Sequence, residues 1–83
     1  MIVRIHPHAR DRMIERGADE DEIRSTLEKG ERYPAKFGRT GFRRNFPFKK
    51  DRRGKFYETK QIELYAIEEQ GSWLVITVVT RFF

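Results

Sequence analysis

The hydrophobic positions of this 83-residue chain change their period twice, and the changes divide it into elements. Met1 to Ile5 alternates Ile2 and Arg4 with Val3 and Ile5, which suits a short strand. From His6 the pattern turns helical. His6-Pro7 reads as a helix start, since proline tolerates the first helical position and holds the residue before it out of the helical region. Gly17 is placed to end that helix in a left-handed cap, so the spacing predicts a first helix over about Pro7 to Arg16. Asp19 followed by Glu22 is a capping-box pattern, with Glu20 and Asp21 at the positive end of a second helix and Ala18 and Ile23 as its hydrophobic staple. Ile23 and Leu27 share one face, and Gly30 supplies the stop.

After Gly30 the period falls to two. Phe42, Arg44, Phe46 and Phe48 share one parity, a strand with an aromatic face that Pro47 places at an edge or near its end. Lys49 to Gly54 reads as a charged turn, and Phe56 to Glu68 and Trp73 to Phe82 are the two strongest strand candidates. If Gln70-Gly71 alone joined them, Ile62, Leu64 and Ala66 would share a face with Val75, Thr77 and Val79, which mixes polar and apolar positions. A three-residue loop of Glu69, Gln70 and Gly71 groups Ile62, Leu64 and Ala66 with Leu74, Ile76 and Val78 instead, and this register is the expectation. It sets Glu63 across from Thr77, Tyr65 across from Val75, Ile67 across from Trp73 and Thr59 across from Arg81 on the other face. The predicted architecture is α+β, a single domain over residues 1–83 with two N-terminal helices packed on one face of an antiparallel sheet of three to five strands.

Composition narrows this picture. A chain this short buries only somewhat more than roughly 60% of its unfolded surface, enough for one modest core and not for two domains. Its hydrophobic share is 37%, yet 13% of residues are aromatic, more than a disordered tail carries. There is no cysteine, which removes disulfides and cysteine-based zinc sites and makes a reducing cytoplasm the expected location. The longest apolar run, Trp73 to Val79, falls far short of the roughly 20 residues of a membrane helix, and Met1 to His6 is too short for a signal peptide. A soluble protein without a membrane partner is expected.

Charge is more informative by region than in total. The chain carries net +5, but residues 31–60 hold eleven basic and three acidic residues, net +8, while both flanks are slightly acidic. Seven of the eleven aromatics lie in that same stretch. Cations neutralise phosphates and release counterions while aromatic faces stack on unpaired bases, so the composition suits single-stranded nucleic acid. The contact candidates are Arg39, Phe42, Arg43, Arg44, Phe46, Phe48, Lys49, Lys50, Arg52 and Arg53, with Phe42, Phe46 and Phe48 as the stacking platforms. The plainer alternative is that the aromatics fill a small core and the cations keep the strands soluble. Eight uncompensated charges in thirty residues exceed what solubility requires and favour the first reading.

On the first helix His8, Arg12 and Arg16 recur at spacing four and form one stripe beside Glu15, with Ala9 and Met13 on a neighbouring stripe suited to packing. Histidine moves protons near neutral pH and arginine binds phosphate bidentately. The alternative is a solvated face, or Arg12 and Arg16 bridging to Glu15 and the acids of the second helix; on spacing alone it is the simpler reading. His6-x-His8 has no third ligand at a zinc spacing, so no metal or other cofactor is expected. Ser25 has no histidine near it in sequence and no glycine-rich phosphate loop occurs, which argues against serine nucleophiles and nucleotide hydrolysis.

The run His8-Ala9-Arg10-Asp11-Arg12-Met13-Ile14-Glu15-Arg16-Gly17, with the closing Ile76-Thr77-Val78, resembles a widespread bacterial domain family of unknown function. Its members open with an H-A-x-x-R-M-x-x-R-G stretch and end in a valine-rich strand with a Thr-Val step. That family is usually grouped with the barnase, EndoU, colicin and RelE-like fold, whose characterised members include metal-independent ribonucleases and toxins of toxin–antitoxin pairs. The resemblance implies functional roles for His8, Arg12, Arg16 and Thr77. Residues 31–60 are longer and more basic here than the family pattern, and Ala18 stands in place of a larger aliphatic residue.

Together these readings give a small RNA-binding protein, in its enzymatic form a RelE-like endoribonuclease. His8 or Glu63 would then act as base toward the ribose 2′-hydroxyl, and Arg12, Arg16 or Arg81 would stabilise the phosphorane. The alternatives are a non-catalytic module that docks on an acidic, antitoxin-like protein, and a structural domain without a site. The enzymatic form requires His8, Thr77 and Arg81 to converge in space.

Overall fold

The computed structural model describes residues 1–83. Strand β1 (Ile2–Ile5) leads directly into helix α1 (Pro7–Arg16) and helix α2 (Glu20–Lys29), after which the chain forms β2 (Glu31–Pro34), a short 3₁₀ turn at Lys36–Gly38, β3 (Thr40–Arg52), β4 (Lys55–Glu69) and β5 (Ser72–Phe82). Both helices start and stop where the local chemistry dictates. His6 caps α1 by accepting from the His8 backbone N–H, Pro7 takes the first turn, and Gly17 closes it at φ 72° with its N–H on the Met13 carbonyl. Asp19 and Glu22 form the reciprocal capping box of α2 at 2.8 and 3.0 Å.

The five strands form one sheet in the order β1-β5-β4-β3-β2. It is α+β as expected, with the helices N-terminal, but the sheet is mixed: β1 runs parallel to β5, pairing Ile2 to Ile5 with Ser72 to Val75. A strand that must return through two helices before the sheet continues has the long connection that parallel pairing demands. β1 is short, so beyond Val75 the outer edge of β5 has no strand partner.

The β4–β5 register corrects the sequence expectation. Glu69 pairs with Ser72, so the loop is the two-residue Gln70-Gly71, both at positive φ (50° and 81°), as a primed hairpin turn requires. The face conflict is resolved by a bulge: Ala66 opposes Val75 and Tyr65 opposes Thr77, leaving Ile76 as the extra residue. Past it, parity flips, and Ile62, Leu64 and Ala66 share their face with Val75 and Val78, all fully buried. The charged segment Lys49 to Gly54 is likewise not a free turn. Lys50, Asp51 and Arg52 pair with Tyr57, Phe56 and Lys55 around a two-residue Arg53-Gly54 turn, and a second bulge with Lys49 at φ 50° sits between Pro47 and Lys50. The resulting arm helps stretch the molecule to 43 × 23 × 23 Å.

Both helices cover one face of the sheet. Ala9, Met13, Ala18, Ile23 and Leu27 pack there on Phe42, Ile62, Leu64, Ala66, Trp73, Val75 and Val78. Phe42 and Trp73 meet edge to face at 5.1 Å with the Arg32 guanidinium over both rings. Lys60 is the one cation buried on this face; its ammonium donates to Glu22 at 2.8 Å and to the Gly17 carbonyl, tying the sheet to both helix junctions. Residues of the opposite parity on β3, β4 and β5 face away from the helices.

Candidate functional site on the open sheet face

On that uncovered face Glu63 occupies the middle of β4, opposite Arg43 on β3 and Val79 on β5. No helix shields it, yet it is only 6% exposed. Its cover is side chains. Arg81 Nη1 donates to Glu63 Oε1 at 2.6 Å, and the Tyr33 hydroxyl donates to Glu63 Oε2. Tyr33 reaches across from β2 because Gly41 lies opposite it; a Cβ at Gly41 would stand 2.3 Å from the Tyr33 ring. Tyr65 meets the Tyr33 ring edge-on at 6.4 Å, Thr77 lies opposite Tyr65, and Arg43 stands over the Tyr33 ring while bonded to Glu31. The cluster holds two carboxylates, the covered Glu63 and the exposed Glu31, with two guanidiniums and two phenols.

Its electrostatics follow from those contacts. Burial pushes the Glu63 carboxyl upward, but the Tyr33 hydroxyl, the Arg81 guanidinium and the charge of Arg43 together outweigh it, so Glu63 titrates below the usual carboxylate range. Tyr33 moves the other way. Burial and then its bond to the Glu63 carboxylate hold the phenol proton far above its ordinary range. The arrangement at neutral pH is therefore an ionised carboxylate with a locked phenol donor and a half-exposed guanidinium.

Beside this cluster the β2–β3 loop borders an open pocket of about 390 Å³ lined by Tyr33, Tyr65, Phe37, Lys36 and Arg39 among others. Phe37 is 86% exposed and held at φ 60°, a conformation unusual for a bulky side chain and one that needs the surrounding loop to enforce it. The loop is closed by Ala35 and Arg39 backbone bonds, and Arg39 lies 6.0 Å from the Phe37 ring.

The three side chains of the helix stripe do not converge. His8 stacks on His6 at 5.3 Å, Arg12 pairs with Glu15 at 3.0 Å, and Arg16 donates to the Val78 carbonyl at 2.6 Å on the open edge of β5. Arg12 thus takes the structural alternative weighed from the sequence. Thr77 and Arg81 lie on the open face and His8 on the helix layer, so the sheet separates them and the expected convergence is absent. No third ligating side chain joins His6 and His8. Glu63 and Arg81 do meet, although the sequence register had set Thr59 opposite Arg81; Gln61 is its partner, one bulge away.

The stacking candidates also need correction. Phe42 is 2% exposed in the core, Phe46 packs against that core beneath Arg44, and Phe48 meets Phe82 at 4.9 Å with Lys50 above it. Arg44 turns to the helix side, where it reaches Ser25, while Arg43 faces outward. Alternation along β3 splits the basic run between two faces. The cations and aromatics interleave because they cover one another: Arg43 on Tyr33, Arg52 on Phe82, Lys55 on Tyr57. Lys49 and Lys50 are exposed on the arm, with Arg53 at its turn. Sequence reasoning missed Tyr33, whose signal was Glu31-x-Tyr33 facing Gly41-x-Arg43 across a short loop.

An α+β layer with helices on one side and a polar, partly buried cluster on the bare side of a mixed sheet places the molecule among small open-faced sheet proteins. The chain belongs to the family described as a domain of unknown function, DUF4258, which matches residues 5–80. No curated protein and no solved structure matches the chain. No helix is long and apolar enough to cross a membrane.

Proposed function

We propose that this protein binds single-stranded RNA across the open sheet face and cleaves it at Glu63. The observation that carries the reading is the ionised Glu63 carboxylate held between the Arg81 guanidinium and the Tyr33 hydroxyl on the face that the helices leave bare. RNA carries its own nucleophile, so cleavage asks only for a base and for cations at the phosphate. Glu63 takes the 2′-hydroxyl proton, the 2′-oxygen bonds to phosphorus, and the bond from phosphorus to the 5′-oxygen breaks. The products are a 2′,3′-cyclic phosphate and a 5′-hydroxyl, whose proton comes from Tyr65 and is replaced from solvent. Arg81 and Arg43 stabilise the charge on the phosphorane oxygens. The pocket at Phe37, Tyr33 and Tyr65 receives a neighbouring base, and the cationic arm attracts the strand. The terminal segments resemble a family of unknown function that is usually grouped with the barnase, EndoU, colicin and RelE-like fold, and that grouping supports this reading, in which the protein is a toxin-like enzyme of the cytoplasm.

The test is metal-free cleavage of a mixed single-stranded RNA, with chelator present. Glu63→Gln should lower the rate by about 10²–10⁴-fold while binding stays within a few-fold. Wild-type chain that leaves the RNA intact would remove the catalytic step. The arm favours one other partner: Lys49, Lys50, Arg53 and Lys55 are exposed with Asp51 as the one acid among them, which suits an acidic, antitoxin-like segment. Salt separates the two, since RNA affinity falls log-linearly with a slope of about −0.7 per phosphate contacted.

A further inference from the structure

We propose a second binding site, for a phosphate monoester, in the cleft between the C-terminal end of α1 and the β3–β4 arm. The cleft has a volume of about 450 Å³ and is lined by Glu15, Arg16, Arg52, Arg53, Thr80 and Phe82, with Val79. Three guanidiniums from a helix end, a strand end and a hairpin turn meet there, and none of them is in an ion pair. The Glu15 carboxylate is bonded to Arg12 instead. Three guanidiniums face a single carboxylate that is already shared with Arg12, and a dianion is the ligand that offsets the remaining repulsion.

Two of the guanidiniums are already oriented. Arg52 lies 4.3 Å from the centre of the Phe82 ring, and Arg16 spends one N–H on the Val78 carbonyl, leaving its other donors free. Thr80 supplies an independent observation. Its Oγ1 is buried and is the only buried side-chain oxygen or nitrogen without a hydrogen-bond partner. Thr80 is among the residues that line the cleft, so a phosphate bound there is the partner this hydroxyl lacks. Guanidinium forks match tetrahedral phosphate oxygens in pairs, so phosphate fits the set better than a carboxylate does.

This site does not depend on cleavage at Glu63. Arg81 points to the open face, whereas Thr80 shares the covered side with its partner Ile62, so the two sites flank β5 on opposite sides.

The experiment titrates inorganic phosphate into the full chain by calorimetry. Saturable one-site binding is expected, and the double variant Arg52→Gln, Arg53→Gln should weaken it about tenfold or more. Arg24→Gln with Lys29→Gln removes the same charge from α2 outside the cleft and should change it less than about twofold. Thr80→Val should weaken phosphate several-fold without lowering the melting temperature, because the hydroxyl has no partner to lose. Non-saturable binding overturns the site. So do equal losses from the two double variants, or a Thr80→Val chain that melts earlier yet binds phosphate normally. Competition by short RNA identifies the source. Displacement by a 5′-phosphorylated oligomer and not by its 5′-hydroxyl counterpart assigns a terminal phosphate, and displacement by neither assigns the free ion. Equal displacement by both assigns the backbone diester and overturns the monoester.

Discussion

Strand β4 presents two ion pairs on its two faces, three residues apart. On the covered face Lys60 meets Glu22 with both side chains largely out of water, and the lysine also holds the Gly17 carbonyl. On the open face Glu63 is as deeply covered, but its partner Arg81 remains 51% exposed. The first pair is closed: both ends are spent within the fold, where losing one partner strands the other. The second is half open. Its carboxylate is fixed by the protein, while the guanidinium, half in water, keeps further N–H donors for an incoming anion. A site on this sheet can exist only where helices do not already take up the polar groups.

The sharpest way to break this contrast is to remove packing on the closed side. Phe42→Ala should cost about 3–5 kcal/mol, a large share of the stability of a chain this size, and should register as a lower denaturant midpoint. A Phe42→Ala chain of normal stability would mean that the ring is not core. Lys60→Ala comes next, at about 2–4 kcal/mol, since it leaves Glu22 charged and the Gly17 carbonyl unpaired in a mostly dry site. Lys60→Met should recover part of that loss when paired with Glu22→Gln. A double-mutant cycle that finds the two positions additive would show that the pair is not coupled.

These two faces were unequally legible in the sequence. Helix ends were readable because each is set by one or two side chains: Pro7 and Gly17 for α1, Asp19, Glu22 and Gly30 for α2. The layered fold followed from period alone. The bulge at Ile76 was not readable, because strict alternation is the premise of any register argument, and one extra residue satisfies both the two-residue turn and the apolar face. The arm was hidden for another reason. Lys49 to Lys55 buries too little to show a hydrophobic pattern, so its pairing is set by the Arg53-Gly54 turn and not by a core. No local pattern marks Lys60, and only the tertiary placement of the junction between the helices gives it partners.

The open pair is sharpened by pH. Glu63 titrates below its ordinary value of 4.5 in the fold, so its contribution is fully present above that value and is lost as pH falls through the depressed folded value. Glu63→Gln keeps an acceptor for Tyr33 but has no charge to lose. The variant should be less stable than wild type by about 1–2 kcal/mol at pH 7, and the two stability curves should approach each other below pH 4.5. Parallel curves across that range would show that Glu63 carries no preferential interaction in its ionised form.

The smallest effect belongs to His8, and it bears on where chemistry resides. Its ring is exposed, stacked only on His6, and separated by the sheet from Thr77, Arg81 and Glu63. His8→Ala should change stability by no more than about 0.5 kcal/mol, because the capping bond to His6 comes from its backbone N–H and survives the substitution. RNA cleavage and RNA affinity should both stay within a factor of two of wild type. Arg81→Ala, on the open face, should lose most cleavage and cost about 1–3 kcal/mol, because it leaves the covered Glu63 carboxylate without its guanidinium. If the order reverses, with His8→Ala inactive and Arg81→Ala unaffected, the helix layer carries the chemistry and the bare sheet face is only a surface.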